Sequence, residues 1–140
     1  MVKHGRMSIN INERGALMEE LTNCEKMVMY CMWKYTRPVT VAELRKDLKR
    51  YFGKSYERST VCTFIKHLKD KGYVSTYEEK HKNMCFSMVD RSAFVDEEME
   101  QFKKMWYSGS VSDMVAALCR KESMTKDELD KVRRILDELD

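Results

Sequence analysis

The chain has 140 residues, 43% of them hydrophobic and 35% charged, with one proline and five glycines. Such a composition can bury a core, favours helix and excludes low-complexity disorder. No uncharged apolar run reaches the roughly eighteen residues of a membrane span and residues 1–20 lack an apolar signal core, so a cytoplasmic protein without membrane insertion is expected. The net charge of +3 is unevenly divided: residues 1–90 hold 17 Lys/Arg against 11 Asp/Glu, and residues 91–140 hold 9 against 12. That asymmetry suits the front of the chain, and not the back, to a polyanion.

Residues 1–20 show no clean hydrophobic period and read as a mobile or loosely packed arm; its Lys3, Arg6 and Arg14 could touch phosphate, with a disordered tail as the alternative. Thr22-Asn23-Cys24-Glu25 matches a capping box, so a helix should begin near residue 22. Val28, Met32 and Tyr35, with Cys24, Met29 and Trp33 beside them, form its apolar face, and Pro38 ends it by Arg37. Pro38-Val39-Thr40 can form a short strand. Thr40-Val41-Ala42-Glu43 is a second capping box, opening a helix with Val41, Leu44 and Leu48 inward and Arg45, Lys49 and Arg50 outward. Tyr51-Phe52-Gly53-Lys54-Ser55 reads as a turn.

The next stretch, Glu57 to Gly72, places Val61, Phe64, Ile65 and Leu68 at i, i+3, i+4 and i+7, the buried face of an amphipathic helix. Arg58, Ser59, Cys62, Thr63, Lys66 and Lys69 fall outward. Short polar residues at the front of a helix allow close approach to a groove, and lysines reach phosphates from its sides. Gly72 is a plausible helix stop. Tyr73 to Val89 reads as a β-hairpin, with Glu78 to Asn83 as its loop and Lys80, His81 and Lys82 at a tip placed to touch phosphate or minor groove. A solvated tip is the alternative. Two helices around a turn, followed by a hairpin, make a winged helix-turn-helix with Glu57–Gly72 as the recognition helix.

From Asp90 the pattern is helical. One helix carries Phe94, Val95, Met99, Phe102, Met105 and Trp106 and breaks at Ser108-Gly109-Ser110. A second carries Met114, Val115, Leu118 and Cys119. A third, capped by Thr125-Lys126-Asp127-Glu128, carries Leu129, Val132, Ile135, Leu136 and Leu139. Their apolar faces need a cover, and a twofold partner supplies one economically. The expected interface is Phe102, Met105, Trp106, Met114, Val115, Leu118, Val132, Ile135, Leu136 and Leu139; folding back on the first domain is the alternative. The expected organisation is an arm (1–20), a DNA-binding domain (21–89) and a helical dimerisation domain (90–140), mostly α with a small hairpin.

The five cysteines (24, 31, 62, 85 and 119) form no C-x-x-C or C-x-C pair, and His4, His67 and His81 are not at ligand spacing. No metal and no cofactor is expected, and most cysteines should be small core residues, with Cys62 the outward exception. No nucleophile–base pair, glycine-rich phosphate loop or paired carboxylates point to an enzyme.

The chain resembles the penicillinase-repressor family over roughly residues 20–139. Thr22, Glu25, Val28, Met29, Met32 and Trp33 match the family's first-helix pattern, with Cys24 in place of alanine. Thr60, Val61, Thr63, Ile65, Leu68, Lys71 and Gly72 match its recognition helix, with Phe64 at a leucine position. Trp106-Tyr107-Ser108-Gly109, Val111 and Met114-Val115 match a later segment. The resemblance implies a cytoplasmic homodimeric repressor of β-lactam-resistance-type or other stress-response genes, bound to a palindromic double-stranded operator. It carries Thr60 and Thr63 over as groove readers. Ser59 stands where lysine is usual, and Cys62 and His67 where arginine is common, so Arg58, Ser59, Thr60, Cys62, Thr63, Lys66, His67, Lys80 and Lys82 are the candidate DNA-binding residues. The family's β-lactam branch is switched off by a membrane sensor-protease system that cuts an Asn-Phe bond. Gln101-Phe102 lies at the matching place, and a plain dimer-core role for Phe102 is the alternative. A winged-helix module that binds protein and not DNA is the competing function.

Overall fold

The computed structural model describes residues 19–121 and 124–139. Their elements run α1 (Asn23–Trp33), β1 (Val39–Thr40), α2 (Val41–Phe52), α3 (Arg58–Asp70), β2 (Val74–Glu79), β3 (Lys82–Ser87), α4 (Arg91–Tyr107), α5 (Val111–Lys121) and α6 (Lys126–Glu138). They fall into two compact units, 19–97 and 98–139.

In the first unit, both capping boxes form. Thr22 Oγ1 accepts from the Glu25 N–H at 3.2 Å while Glu25 Oε1 accepts from the Thr22 N–H at 2.9 Å. Thr40 and Glu43 repeat the exchange at 3.1 and 3.0 Å. Each box satisfies two of the donors a helix start leaves open. At the other end of α2, Gly53 (φ 67°) adopts the left-handed conformation that suits glycine; its N–H donates to Lys49 C=O at 2.9 Å and the Lys54 N–H to Leu48 C=O at 3.3 Å. Tyr51 and Phe52 are therefore the last residues of α2, and the turn proper begins at Gly53.

The strands pair antiparallel in the order β1-β3-β2, with Val39 opposite Cys85 and Thr76 opposite Cys85 from the other side. The β2–β3 ladder continues to Glu79 opposite Lys82. The hairpin loop is thus Lys80-His81 alone, and not the run Glu78–Asn83, because both loop residues take positive φ (49° and 66°) and turn the chain in two positions. Cys85 is the buried member of β3, while Met84 and Phe86 face the half-exposed side.

Val28, Met29, Cys31 and Met32 of α1, Val41, Leu44 and Leu48 of α2, and Val61, Ile65 and Leu68 of α3 share one core with Tyr73, Val74 and Cys85. Phe94, in the first turns of α4, packs on Trp33 (centroids 5.4 Å) and Tyr73 (6.0 Å), and the Trp33 Nε1–H donates to Ser87 Oγ and Val89 C=O, both at 3.0 Å. Burial pushes the Cys31 thiol up to about 11, and likewise that of Cys85, to which neighbouring Cys62 adds. Both behave as core residues.

In the second unit, α4 ends where Ser108 and Gly109 take positive φ and the Gly109 N–H reaches Lys103 C=O at 3.1 Å. Ser110 Oγ then caps α5 through the Asp113 N–H, and Thr125 Oγ1 caps α6 through the Glu128 N–H, both at 3.1 Å. Among the described residues, no helix is long and apolar enough to cross a membrane. Lys3, Arg6 and Arg14 of the expected arm lie outside the described residues.

Candidate nucleic-acid interface

The start of α3 is set by contacts from the two preceding helices. Arg45 Nε of α2 donates to Tyr56 C=O at 3.1 Å, fixing the linker one residue before the Glu57 N-cap. The Tyr56 ring meets Phe64 edge-on (centroids 5.2 Å, 84°), and its hydroxyl lies 3.4 Å from Cys24 Sγ of α1. Phe64 is half-buried in this contact while Val61, Ile65 and Leu68 are buried.

The end of α3 is held by a buried charge. Glu25 of α1 is 2% exposed, and Lys71 Nζ donates to its Oε1 at 2.7 Å and to Glu20 C=O at 2.9 Å. The Tyr73 hydroxyl adds a bond to Glu19 C=O at 3.1 Å. Burial raises the pKa of Glu25, but the hydrogen bonds from Lys71 and Thr22 outweigh it and hold the carboxyl below its ordinary value. Nothing in the sequence marked Glu25 as buried. Its capping-box position was legible, but its pairing across 46 residues was not.

Between these anchors α3 shows solvent an outer stripe of Arg58, Ser59 and Thr63, with Thr60 half-buried at its edge. The Thr63 hydroxyl donates to Ser59 C=O at 3.0 Å. Further along, Lys66 pairs with Asp70 at 3.0 Å, and His67 Nδ1 lies 3.8 Å from Glu25 Oε2. Lys69 Nζ reaches Thr76 Oγ1 of β2 at 3.1 Å.

Cys62 is not outward. It is half-buried against the core on the flank of α3 that meets the sheet, next to Ile65 and Lys69 in helical spacing. Cys62 stands one residue after Val61 at the border of the buried face, so packing against the core draws in a residue that periodicity alone places outward. Lys80 and His81 sit at the wing tip and Lys82 begins β3; all are exposed beside Glu78 and Glu79. In the second unit Phe102, Met105, Trp106, Leu118, Ile135, Leu136 and Leu139 are exposed; Gln101, Met114, Val115 and Val132 are half-buried.

The order α1-β1-α2-α3-β2-β3, with α3 held at both ends and open along one side, defines the winged helix-turn-helix class. Residues 21–138 match the family model described as penicillinase repressor, and the chain belongs to that family, one of transcriptional repressors and not of enzymes. It is 24% identical over 119 residues to the methicillin resistance regulatory protein MecI of Staphylococcus aureus strain N315, covering 84% of this chain and 93% of that one. The MecI protein of Mammaliicoccus sciuri shows the same identity and coverage. Among solved structures, the DNA-binding domain of the repressor BlaI overlaps 54% of this chain and 88% of its own at 21% identity and TM-score 0.46. The monomeric Bacillus licheniformis BlaI in complex with the blaP half-operator overlaps to the same extent at TM-score 0.44.

Proposed function

We propose that the chain represses transcription as a homodimer, each protomer laying α3 into the major groove of one half of a palindromic operator. The observation that carries this reading is the outer stripe of α3, where Arg58, Ser59 and Thr63 are exposed among the described residues. Arg58, Ser59, Thr60 and Thr63 are assigned to base edges and adjacent phosphates, Lys66 and His67 to the sides of the groove, and the Lys80–Lys82 wing tip to the flanking backbone. Cys62 drops out of this set because it packs inward.

The dimer is assigned to residues 90–140. Exposed Phe102, Met105, Trp106, Leu118, Ile135, Leu136 and Leu139 give α4, α5 and α6 more apolar surface than a solvated helix ordinarily carries, and a twofold copy would cover it. Phe102 is assigned to this face, and cleavage after Gln101 by a sensor-protease system would then release the operator by dissolving the dimer.

The test is fluorescence-anisotropy binding to the duplex just upstream of the protein's own gene, across a salt series. The proposal expects tight binding, a steep salt slope and one dimer per palindrome. Equal, weak binding to that duplex and to random DNA at all salt concentrations would favour a winged-helix module that binds protein.

A further inference from the structure

We infer that the exposed face of α2 and the turn after it form a second surface for DNA phosphates, one that carries more of the backbone contact than the wing. The inference rests on the DNA-binding reading and adds to it a surface that the pattern of α3 does not reveal.

Residues 41–54 hold Arg45, Lys46, Lys49, Arg50 and Lys54, all exposed, against two carboxylates, Glu43 and Asp47. Among the described residues, neither carboxylate forms an ion pair with any of the five. Glu43 is clamped by Arg37 at 2.6 Å and by the Thr40 N–H, so its charge is spent on the strand side of the helix. Asp47 is buried and accepts the Tyr35 hydroxyl at 2.5 Å. Among the described residues no ion pair engages any of the five cations.

The other two elements of the reader carry fewer cations without an ion pair, Arg58 and Lys69 on α3 among the described residues. On α3, Lys66 is matched by Asp70, and Lys71 beyond it by Glu25. On the wing, Lys80 and Lys82 stand beside Glu78 and Glu79, with Glu79 directly opposite Lys82 in the ladder. Among the described residues, the largest group of cations without an ion pair in the first unit therefore lies on α2 and the turn after it, where a polyanion gains most from displacing its counterions.

Position decides which polyanion. The Arg45–Tyr56 bond joins the cationic face of α2 to the linker that leads into Arg58 and Ser59. A helix entering the major groove by its first turns has a phosphate strand passing beside those turns, and residues joined to them face that strand. Lys34 extends the surface: its Nζ lies 4.6 Å from the Tyr30 ring centroid and 5.2 Å from that of Tyr51, and the Arg50 guanidinium lies 5.6 Å from the latter. These rings, themselves packed edge-on at 5.8 Å, restrict the two long cations and reduce the entropy lost when phosphate binds.

The experiment measures anisotropy of the full-length chain on two duplexes of about 30 base pairs, one upstream of its gene and one of random sequence, over a salt series. The variant is Lys46→Gln/Lys49→Gln/Arg50→Gln; Arg45 is left in place because it positions the linker. With about 0.9 of slope per phosphate contact, the slope of log K against log salt should fall by about 2–3, equally on both duplexes, with affinity down about tenfold to a hundredfold. Lys80→Gln/Lys82→Gln should lower it by about 1 or less, and Lys46→Arg/Lys49→Arg should leave it at the wild-type value. An unchanged slope in the triple variant, a larger loss in the wing variant, or an equal loss in the arginine variant each overturns the inference. A wild-type chain with no salt-dependent binding to either duplex overturns the DNA-binding reading itself.

Discussion

Replacing Glu25 with Gln should loosen the junction between the start of α1 and the end of α3. Glutamine also serves in capping boxes, so the Thr22 N–H keeps an acceptor. Lys71, whose side chain is 16% exposed, loses its counter-charge at 2.7 Å. Removing one partner of a fully buried pair costs about 3–5 kcal/mol. Because Lys71 is partly solvated and keeps its bond to Glu20 C=O at 2.9 Å, we expect about 2 kcal/mol. In a domain of about 60–100 residues that lowers Tm by about 8–16 °C. Lys71→Met strands the carboxylate instead and should cost a similar amount, whereas Glu25→Gln/Lys71→Met removes both charges and should cost about 1 kcal/mol. Urea unfolding followed by Trp33 fluorescence, in a Trp106→Phe background, reads the winged unit. The double-mutant cycle should give a coupling of about 2–3 kcal/mol. Single-variant costs that add to within about 0.5 kcal/mol would refute the claim that this pair ties the two helices together.

The remaining predictions address acid stability, groove binding and assembly. Bonds from Arg37 and the Thr40 N–H hold the Glu43 carboxyl at about 2, below its ordinary 4.5. The folded state then binds fewer protons than the unfolded one, so this stabilisation is complete above about pH 4.5 and is lost as pH falls towards about 2; urea midpoints across that window should flatten in Glu43→Gln. Thr63→Ala/Lys66→Ala should weaken operator binding by about tenfold to a hundredfold with the dimer intact in sedimentation. Loss of folding in that variant would mean this face is covered and not open to a groove. Leu136→Asp should weaken the dimer by about a hundredfold or more, because a carboxylate would have to be desolvated at the interface, and DNA affinity should fall with it. A variant that still sediments as a dimer places the interface elsewhere.

Much of the fold was legible because its signals are local. A capping box is written within four residues and a helical stripe within eight, so Thr22–Glu25, Thr40–Glu43 and the Val61–Leu68 face could be read directly. Hairpin length was not readable, since the two-residue loop uses Lys80 and His81 where glycine or asparagine ordinarily signals positive φ. Cys62 was misplaced for a related reason: periodicity locates the centre of a buried face, while its width depends on what packs against it.

The sequence by itself determined the order of elements, the core face of each helix, the family resemblance and the basic bias of the first ninety residues, because these depend on residue type and spacing along the chain. Tertiary structure decided which charges remain available. Glu25 and Lys71 neutralise one another across α1 and the end of α3, Asp47 turns inward to Tyr35, and Glu43 is held by Arg37. A charge count cannot distinguish a carboxylate beside a lysine in sequence from one that faces it at under 4 Å, and electrostatic compensation depends on that distance and on burial. For this reason the largest cluster of cations without an ion pair in the first unit, among the described residues, lies on α2 and the turn after it.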